Sequence, residues 1–200
     1  MTFNDYPVGY AYEKYSVDAD GDILAKSGAA LLVPVDASSI SRSDEKITSW
    51  SRPDGSLINK TIHSITNSKL ESSFALEPKD DKWFVKGELQ GKEVNEELNY
   101  KGWLLSEYGM NLSVLNLKKS GEQSAEYHIW APEVDPVNAT KLVISKVEGK
   151  LDANIKINNG PMLFESLIDE NGIFRSGSME LGPVKMQLES VYSRGKPVLK

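Results

Sequence analysis

The sequence predicts an all-β, mainly antiparallel protein with little helix, folded as a strongly curved sheet or a partial, lipocalin-like barrel. Three observations carry this. Short runs of alternating apolar and polar residues recur along the chain, separated by turn residues. Runs with helical periodicity are scarce. About a dozen strands are more than an open sheet holds without curling or closing.

The elements follow in order. Residues 9–17 and 23–35 read as strands joined by the turn Asp18-Ala19-Asp20-Gly21-Asp22. Residues 38–46 are polar and read as a loop or a short helical turn. The turn Arg52-Pro53-Asp54-Gly55 precedes alternating strands at 57–65, 70–76, 83–89 and 94–100. Pro78-Lys79-Asp80-Asp81 and Gln90-Gly91-Lys92 punctuate them. Within 104–119, Leu104, Tyr108, Leu112 and Leu115 fit one helical face, while 110–114 fits a strand equally well. A turn of helix followed by a strand from Met110 is the preferred reading.

In the last third, Leu151, Ala153, Ile155 and Ile157 alternate on one strand face. Asn159-Gly160-Pro161 breaks that run. Residues 162–168 and 173–181 form a hairpin across Asp169-Glu170-Asn171-Gly172. After Gly182-Pro183, residues Val184, Met186, Leu188 and Tyr192 share a side. These strands make a meander. No segment has linker composition and no fixed repeat occurs, so one domain over residues 1–200 is expected.

Composition narrows the function classes. The net charge is −6, and basic residues are scattered among acidic ones, which opposes nucleic-acid binding. There is no cysteine, so disulfides, thiolate catalysis and Cys-ligated zinc are excluded. No apolar run reaches the roughly 18 residues of a membrane helix. The amino terminus lacks signal-peptide character. A periplasmic or extracellular setting is expected if a signal has been removed, and a cytoplasmic one otherwise.

No cofactor, metal or catalytic site is expected. The Asp18–Asp22 segment lacks the Gly and Glu positions of a calcium loop. His63 and His128 sit on separate strands, with no nucleophile elbow nearby. Glu133 and Asp135 flank a Pro-rich loop and read as solvated charge. The aromatics are the candidate ligand contacts. Tyr6, Tyr10, Tyr12 and Tyr15 cluster, Tyr10 and Tyr12 sharing a face. With Trp50, Trp83 and Trp130, Tyr10 and Tyr12 would line the concave side of the sheet, Trp103 being a fourth strand-associated tryptophan. Core packing is the competing role of each.

Gly9 in an aromatic strand, the Arg52-Pro53-Asp54-Gly55 turn, Trp130-Ala131-Pro132 and Asp169-Glu170-Asn171-Gly172-Ile173-Phe174-Arg175 form an order of elements. This layout resembles a family of bacterial envelope proteins of unknown function, whose curved sheet is similar to that of outer-membrane lipoprotein carriers. The resemblance implies a cell-envelope setting and supplies no catalytic residues.

The expected function is a non-enzymatic cell-envelope binding module. It would hold a hydrophobic or amphipathic small molecule, or an envelope protein, on a concave β-sheet. The alternatives are a small-molecule enzyme with a polar site inside a lipocalin-like barrel, and a structural module that assembles through a strand edge.

Overall fold

The computed structural model describes residues 1–3, 6–34, 40–181 and 184–190. The chain opens with two short strands, β1 (Thr2–Phe3) and β2 (Tyr6–Pro7). A meander follows: β3 (Gly9–Val17), β4 (Ile23–Pro34), β5 (Ile40–Ser51), β6 (Leu57–Thr66), β7 (Lys69–Lys79), β8 (Lys82–Leu89) and β9 (Lys92–Glu97). These seven strands pair antiparallel, each with its chain neighbour, into one sheet. Helix α1 (Glu107–Lys119) then leads to β10 (Ser124–Ile129), β11 (Thr140–Lys146), β12 (Ile155–Asn158), β13 (Met162–Ile168), β14 (Phe174–Leu181) and β15 (Val184–Glu189). These make a second antiparallel meander, and β1 returns to its far edge through Thr2 opposite Gln187. The all-β fold with little helix is therefore present as two sheets, neither closed into a barrel.

The turns are built as their residues dictate. Asp18 Oδ1 accepts from the backbone N–H groups of Asp20 and Asp22 at 2.9 and 3.0 Å. Asp169 Oδ1 does the same for Asn171 and Ile173, and Gly172 takes the positive φ that closes that turn. The Gly182-Pro183 turn and Tyr192 lie outside the described residues.

Helix α1 sits between the sheets and divides the interior into two cores. On one side Val114 and Leu117, with Leu105 just before the helix, pack with Leu142, Ile144, Ile155, Ile157 and Ile168 of the second sheet. The other core joins Leu57, Ile62, Phe74, Leu76 and Val85 of the first sheet to Leu98, Leu104 and Trp130. Burying such side chains is the main favourable term in folding, at about 25 cal/mol per Å² of apolar area.

Three stretches differ from the sequence reading. Residues 40–46, expected as loop or helical turn, belong to β5. Residues 110–114, expected as strand, lie inside α1. The helix wins there because its ends are capped. Ser106 Oγ accepts from Gly109 N–H at 2.9 Å, Glu107 occupies the first turn, and Lys118 and Lys119 the last. Lys118 Nζ also donates to the carbonyls of Ile168 and Asp169, at 2.6 and 2.8 Å. Third, β12 begins only at Ile155, and Leu151 is 98% exposed. Asn154 interrupts the strand: its side chain donates to the Ile168 carbonyl and accepts from the Ile168 N–H, replacing a ladder pair.

Candidate functional site

Cross-strand partners share a face, so the register sorts the first sheet into rungs. The face toward α1 carries Tyr15, Ala25, Ser49, Lys60, Leu76 and Val85 on one rung. The next carries Glu13, Ser27, Ile47, Ile62 and Phe74, and the one after it Ala11, Ala29, Glu45, Ser64 and Ser72. Burial splits this inner face in two. On the β6–β8 side Ile62, Phe74, Leu76 and Val85 are sealed in the core. On the β3–β5 side Ser27, Ala29, Leu31, Ser43 and Glu45 remain partly accessible. Small side chains predominate on that part of the face, beside α1.

A bulge aims the central cation into this space. Ser51 pairs with Leu57 while Trp50 pairs with Asn59, so β6 holds one extra residue, Ile58. Strict alternation from Leu57 would turn Lys60 outward; the extra residue turns it inward. Lys60 Nζ then meets Glu107 Oε1 at 2.6 Å and donates to the Trp130 carbonyl at 3.1 Å. Burial by itself would push the Glu107 carboxyl up. The Lys60 ammonium outweighs it and holds the group below its ordinary value. Ser49, fully buried on the same rung as Lys60, lies beside this carboxylate, and its hydroxyl helps hold the group down. Ser49 Oγ and Glu107 Oε2 are both shut off from solvent.

Three more carboxylates surround the pair. Glu13 on β3 is exposed to solvent as a residue, while its carboxyl is crowded by neighbouring atoms. Burial pushes its carboxyl up, against hydrogen bonds from Tyr15 and Asn111, and the charge of Glu107 adds to the rise. Asn111 Nδ2 bridges to Glu13 Oε2 at 3.1 Å and to the Tyr15 hydroxyl at 2.5 Å. Tyr15 packs edge-on against Tyr108, centroids 5.9 Å apart, and its phenol is raised by burial and by Glu13. Glu45 is raised by burial and then by repulsion from Glu133 and Glu107, against the pull of Lys60. Asn111 lies one helical turn beyond Glu107, on the same side of α1.

The five aromatic candidates fall elsewhere. Tyr10, Tyr12 and Trp50 lie on the opposite face of the first sheet, where Tyr10 and Tyr12 are 60% and 42% exposed. Trp130 is 1% exposed; it packs edge-on against Phe74 and donates to the Pro136 carbonyl at 2.9 Å. Trp83 packs on the same core and donates to the Gly102 carbonyl at 3.1 Å. Trp103 is exposed and meets Tyr127. His63, also on the outer face, shares a 2.9 Å hydrogen bond with Ser73, and His128 stacks on Tyr100. Among the described residues, no group of three or more His, Asp or Glu side chains is placed to hold a metal ion. Nor is any helix among them long and apolar enough to cross a membrane.

Lys60, Glu107, Ser49, Glu45, Asn111 and the Glu13–Tyr15 pair were not singled out as a site in the sequence. One signal was present: Glu13 and Tyr15 have the parity opposite to Tyr10 and Tyr12. Strand alternation alone therefore puts them on the other face.

Two antiparallel meanders around a single described helix define an open, barrel-like β-protein. Solved structures share that architecture. A β-barrel-like protein of the domain of unknown function DUF1849 from Brucella abortus superposes with a TM-score of 0.66 at 13% identity. That match covers 90% of this chain and 84% of the other. A DUF1089 family protein from Pseudomonas aeruginosa superposes with a TM-score of 0.52 at 14% identity, covering 92% and 94%. At such identities the likeness concerns the fold alone. No protein-family model matches the chain, and no curated protein does.

Proposed function

We propose that this protein is a non-enzymatic binding module that holds an amphipathic small molecule in the groove between β3–β5 and α1. One observation carries the reading. The inner face of the first sheet is filled on its β6–β8 side but lined by small, partly accessible residues on its β3–β5 side. Apolar contact there comes from Ala29, Leu31 and Ile47, and polar groups converge where the groove meets the Lys60–Glu107 pair. Small-molecule sites combine apolar contact with a few placed polar groups. The sequence resemblance adds the bacterial cell envelope as the setting.

The test is titration of the full chain with N-phenyl-1-naphthylamine, an uncharged apolar fluorophore. Saturable enhancement is expected, and Ala29→Trp, which fills the groove from β4, should abolish it while circular dichroism stays unchanged. Undiminished binding by a folded Ala29→Trp variant would place the ligand elsewhere.

A further inference from the structure

We propose that the outer face of β3–β5 docks on an anionic bilayer surface, its apolar end entering the headgroup region and its lysine band resting on the phosphates. The reading stands apart from the ligand site proposed above, which lies on the other face of the same strands.

Two different kinds of side chain gather on this face. The first is apolar. Tyr10, Tyr12, Leu32, Ile40 and Leu70 are five of the ten large hydrophobic side chains that stay exposed among the described residues, so half of them share one end of one sheet face. Ile40 opens β5, and Leu32 lies opposite Arg42 one rung further on. Tyr10 and Leu70 stand at the two ends of the next rung, the row through Asp44 and Ile65. Tyr12 follows, opposite Gly28. Its ring lies across β4, 3.1 Å from where a β-carbon on Gly28 would stand. Exposed apolar side chains scattered singly are ordinary, whereas a group of them marks a contact surface.

The second kind is cationic. The Tyr12 rung also carries Lys46, and the rung beyond it carries Lys14 directly opposite Lys26. All three lysines are exposed, and among the described residues none forms an ion pair. Like charges directly opposite each other are destabilising until an anion lies over them. The other charged residues on the outer face of β3–β5 are Arg42 and Asp44, which neutralise each other through hydrogen bonds of 2.7 and 2.9 Å. The face therefore carries three unmatched positive charges on a chain whose net charge is −6. The Debye length is about 8 Å at physiological ionic strength, so a partner lying on this face meets its charge rather than that of the whole molecule.

The order of these groups along the strands names the occupant. From the β4–β5 end the face runs from Ile40 and Leu32, through the tyrosines, to the lysines. A bilayer surface presents matching layers: the acyl boundary, the zone where aromatic rings settle, and the phosphates. Lysines reach those phosphates while their stems cover apolar surface. A single-stranded nucleic acid would match the lysines and tyrosines but leave Leu32, Ile40 and Leu70 without a partner. A second copy of the chain would set one cationic face against another.

The experiment is flotation of the full chain with extruded vesicles, either pure phosphatidylcholine or phosphatidylcholine and phosphatidylglycerol in equal parts. Partition onto the anionic vesicles should be at least about tenfold stronger than onto the neutral ones, and high salt should reverse it. Each lysine is worth about fivefold, so Lys14→Gln/Lys26→Gln/Lys46→Gln should lose about a hundredfold. Leu32→Ser/Ile40→Ser should lose about tenfold or more, with circular dichroism unchanged. Lys141→Gln/Lys150→Gln/Lys185→Gln removes the same charge from exposed sites on the second sheet and should bind like the wild type. Ile40→Trp, a change at an exposed position that leaves the fold alone, should be quenched by brominated acyl chains beyond the wild-type tryptophans. Equal partition onto both vesicles overturns the proposal, and so does a control triple that loses as much as the face variant. Binding that ignores Leu32→Ser/Ile40→Ser, together with tighter capture of oligothymidylate than of vesicles, would mean a polyanion surface instead. A dimer in lipid-free solution that Leu32→Ser/Ile40→Ser dissociates would mean a second copy, and overturns the proposal too.

Discussion

Lys60 Nζ lies 2.6 Å from Glu107 Oε1, across the gap between β6 and α1, with both side chains about nine-tenths buried. Truncating one partner strands the other in a poor solvent for charge. Glu107→Gln or Lys60→Met should each cost about 3–5 kcal/mol, whereas the double change Lys60→Met/Glu107→Leu should recover most of the loss. Urea midpoints at constant slope measure this. The sign of the pH effect follows from the depressed Glu107 value. The folded state binds fewer protons than the unfolded one, so the pair's contribution is present at neutral pH. It is lost as pH falls through the folded value. Glu107→Gln should lack that stretch of acid dependence.

Glu45 has the opposite sign. Its carboxyl is raised in the fold, so folding favours the protonated form. Stability from this group is present at low pH and is lost as pH rises through the folded value. Glu45→Gln should therefore stabilise the empty protein at pH 7 by about 1 kcal/mol, or about 2–4 °C in Tm for a chain of this size. The gain should vanish in acid, where the wild-type group is protonated. Glu13→Gln should act in the same direction, more weakly, because Glu13 is solvent-exposed. A loss of stability in Glu45→Gln at pH 7 would contradict the repulsion from Glu133 and Glu107.

The legible and illegible parts of the chain differ for a physical reason. Strands such as β7 and β12, with apolar residues on a buried face, announce themselves by period two. β5 does not: Ser41, Ser43, Glu45, Ser49 and Ser51 occupy its inward positions, so hydrophobic alternation fails where the groove is lined. Lys60 was hidden by the Ile58 bulge, which reverses the parity of β6 midway. Glu107 was hidden because the run 110–114 suits a strand locally, while the capping side chain of Ser106 decides for helix. The residues of the proposed site thus stand where local pattern and tertiary structure disagree.

Ser106 couples that helix to the first sheet. Its hydroxyl donates to the Gly55 carbonyl at 3.0 Å, accepts from Gly109 N–H, and is 2% exposed. Ser106→Ala removes the cap and leaves buried partners unmatched. A loss of about 1–2 kcal/mol is expected. Ser106→Thr keeps both bonds and should lose less. Equal losses in the two variants, measured by urea unfolding, would show that the extra methyl group, rather than the hydroxyl, governs the site.

The same crossing is tightest between Gly109 of α1 and Gly55, whose φ of +89° no other residue adopts easily. A β-carbon on Gly109 would stand 2.2 Å from the Gly55 carbonyl oxygen and 2.8 Å from a Leu105 methyl. In a free helix Gly→Ala gains about 1 kcal/mol. Here the methyl group must lift α1 from the turn, stretching the Ser106 bonds and the Lys60–Glu107 contact two residues away. Overpacking of this kind costs about 1–3 kcal/mol. Gly109→Ala should therefore destabilise despite its better propensity. Because the strain is passed to Glu107, it should also reduce the acid dependence assigned to that carboxylate. Urea titrations across the acid range separate the two effects. An alanine variant as stable as the wild type, with an unchanged pH profile, would mean that α1 does not rest on the Gly55 turn.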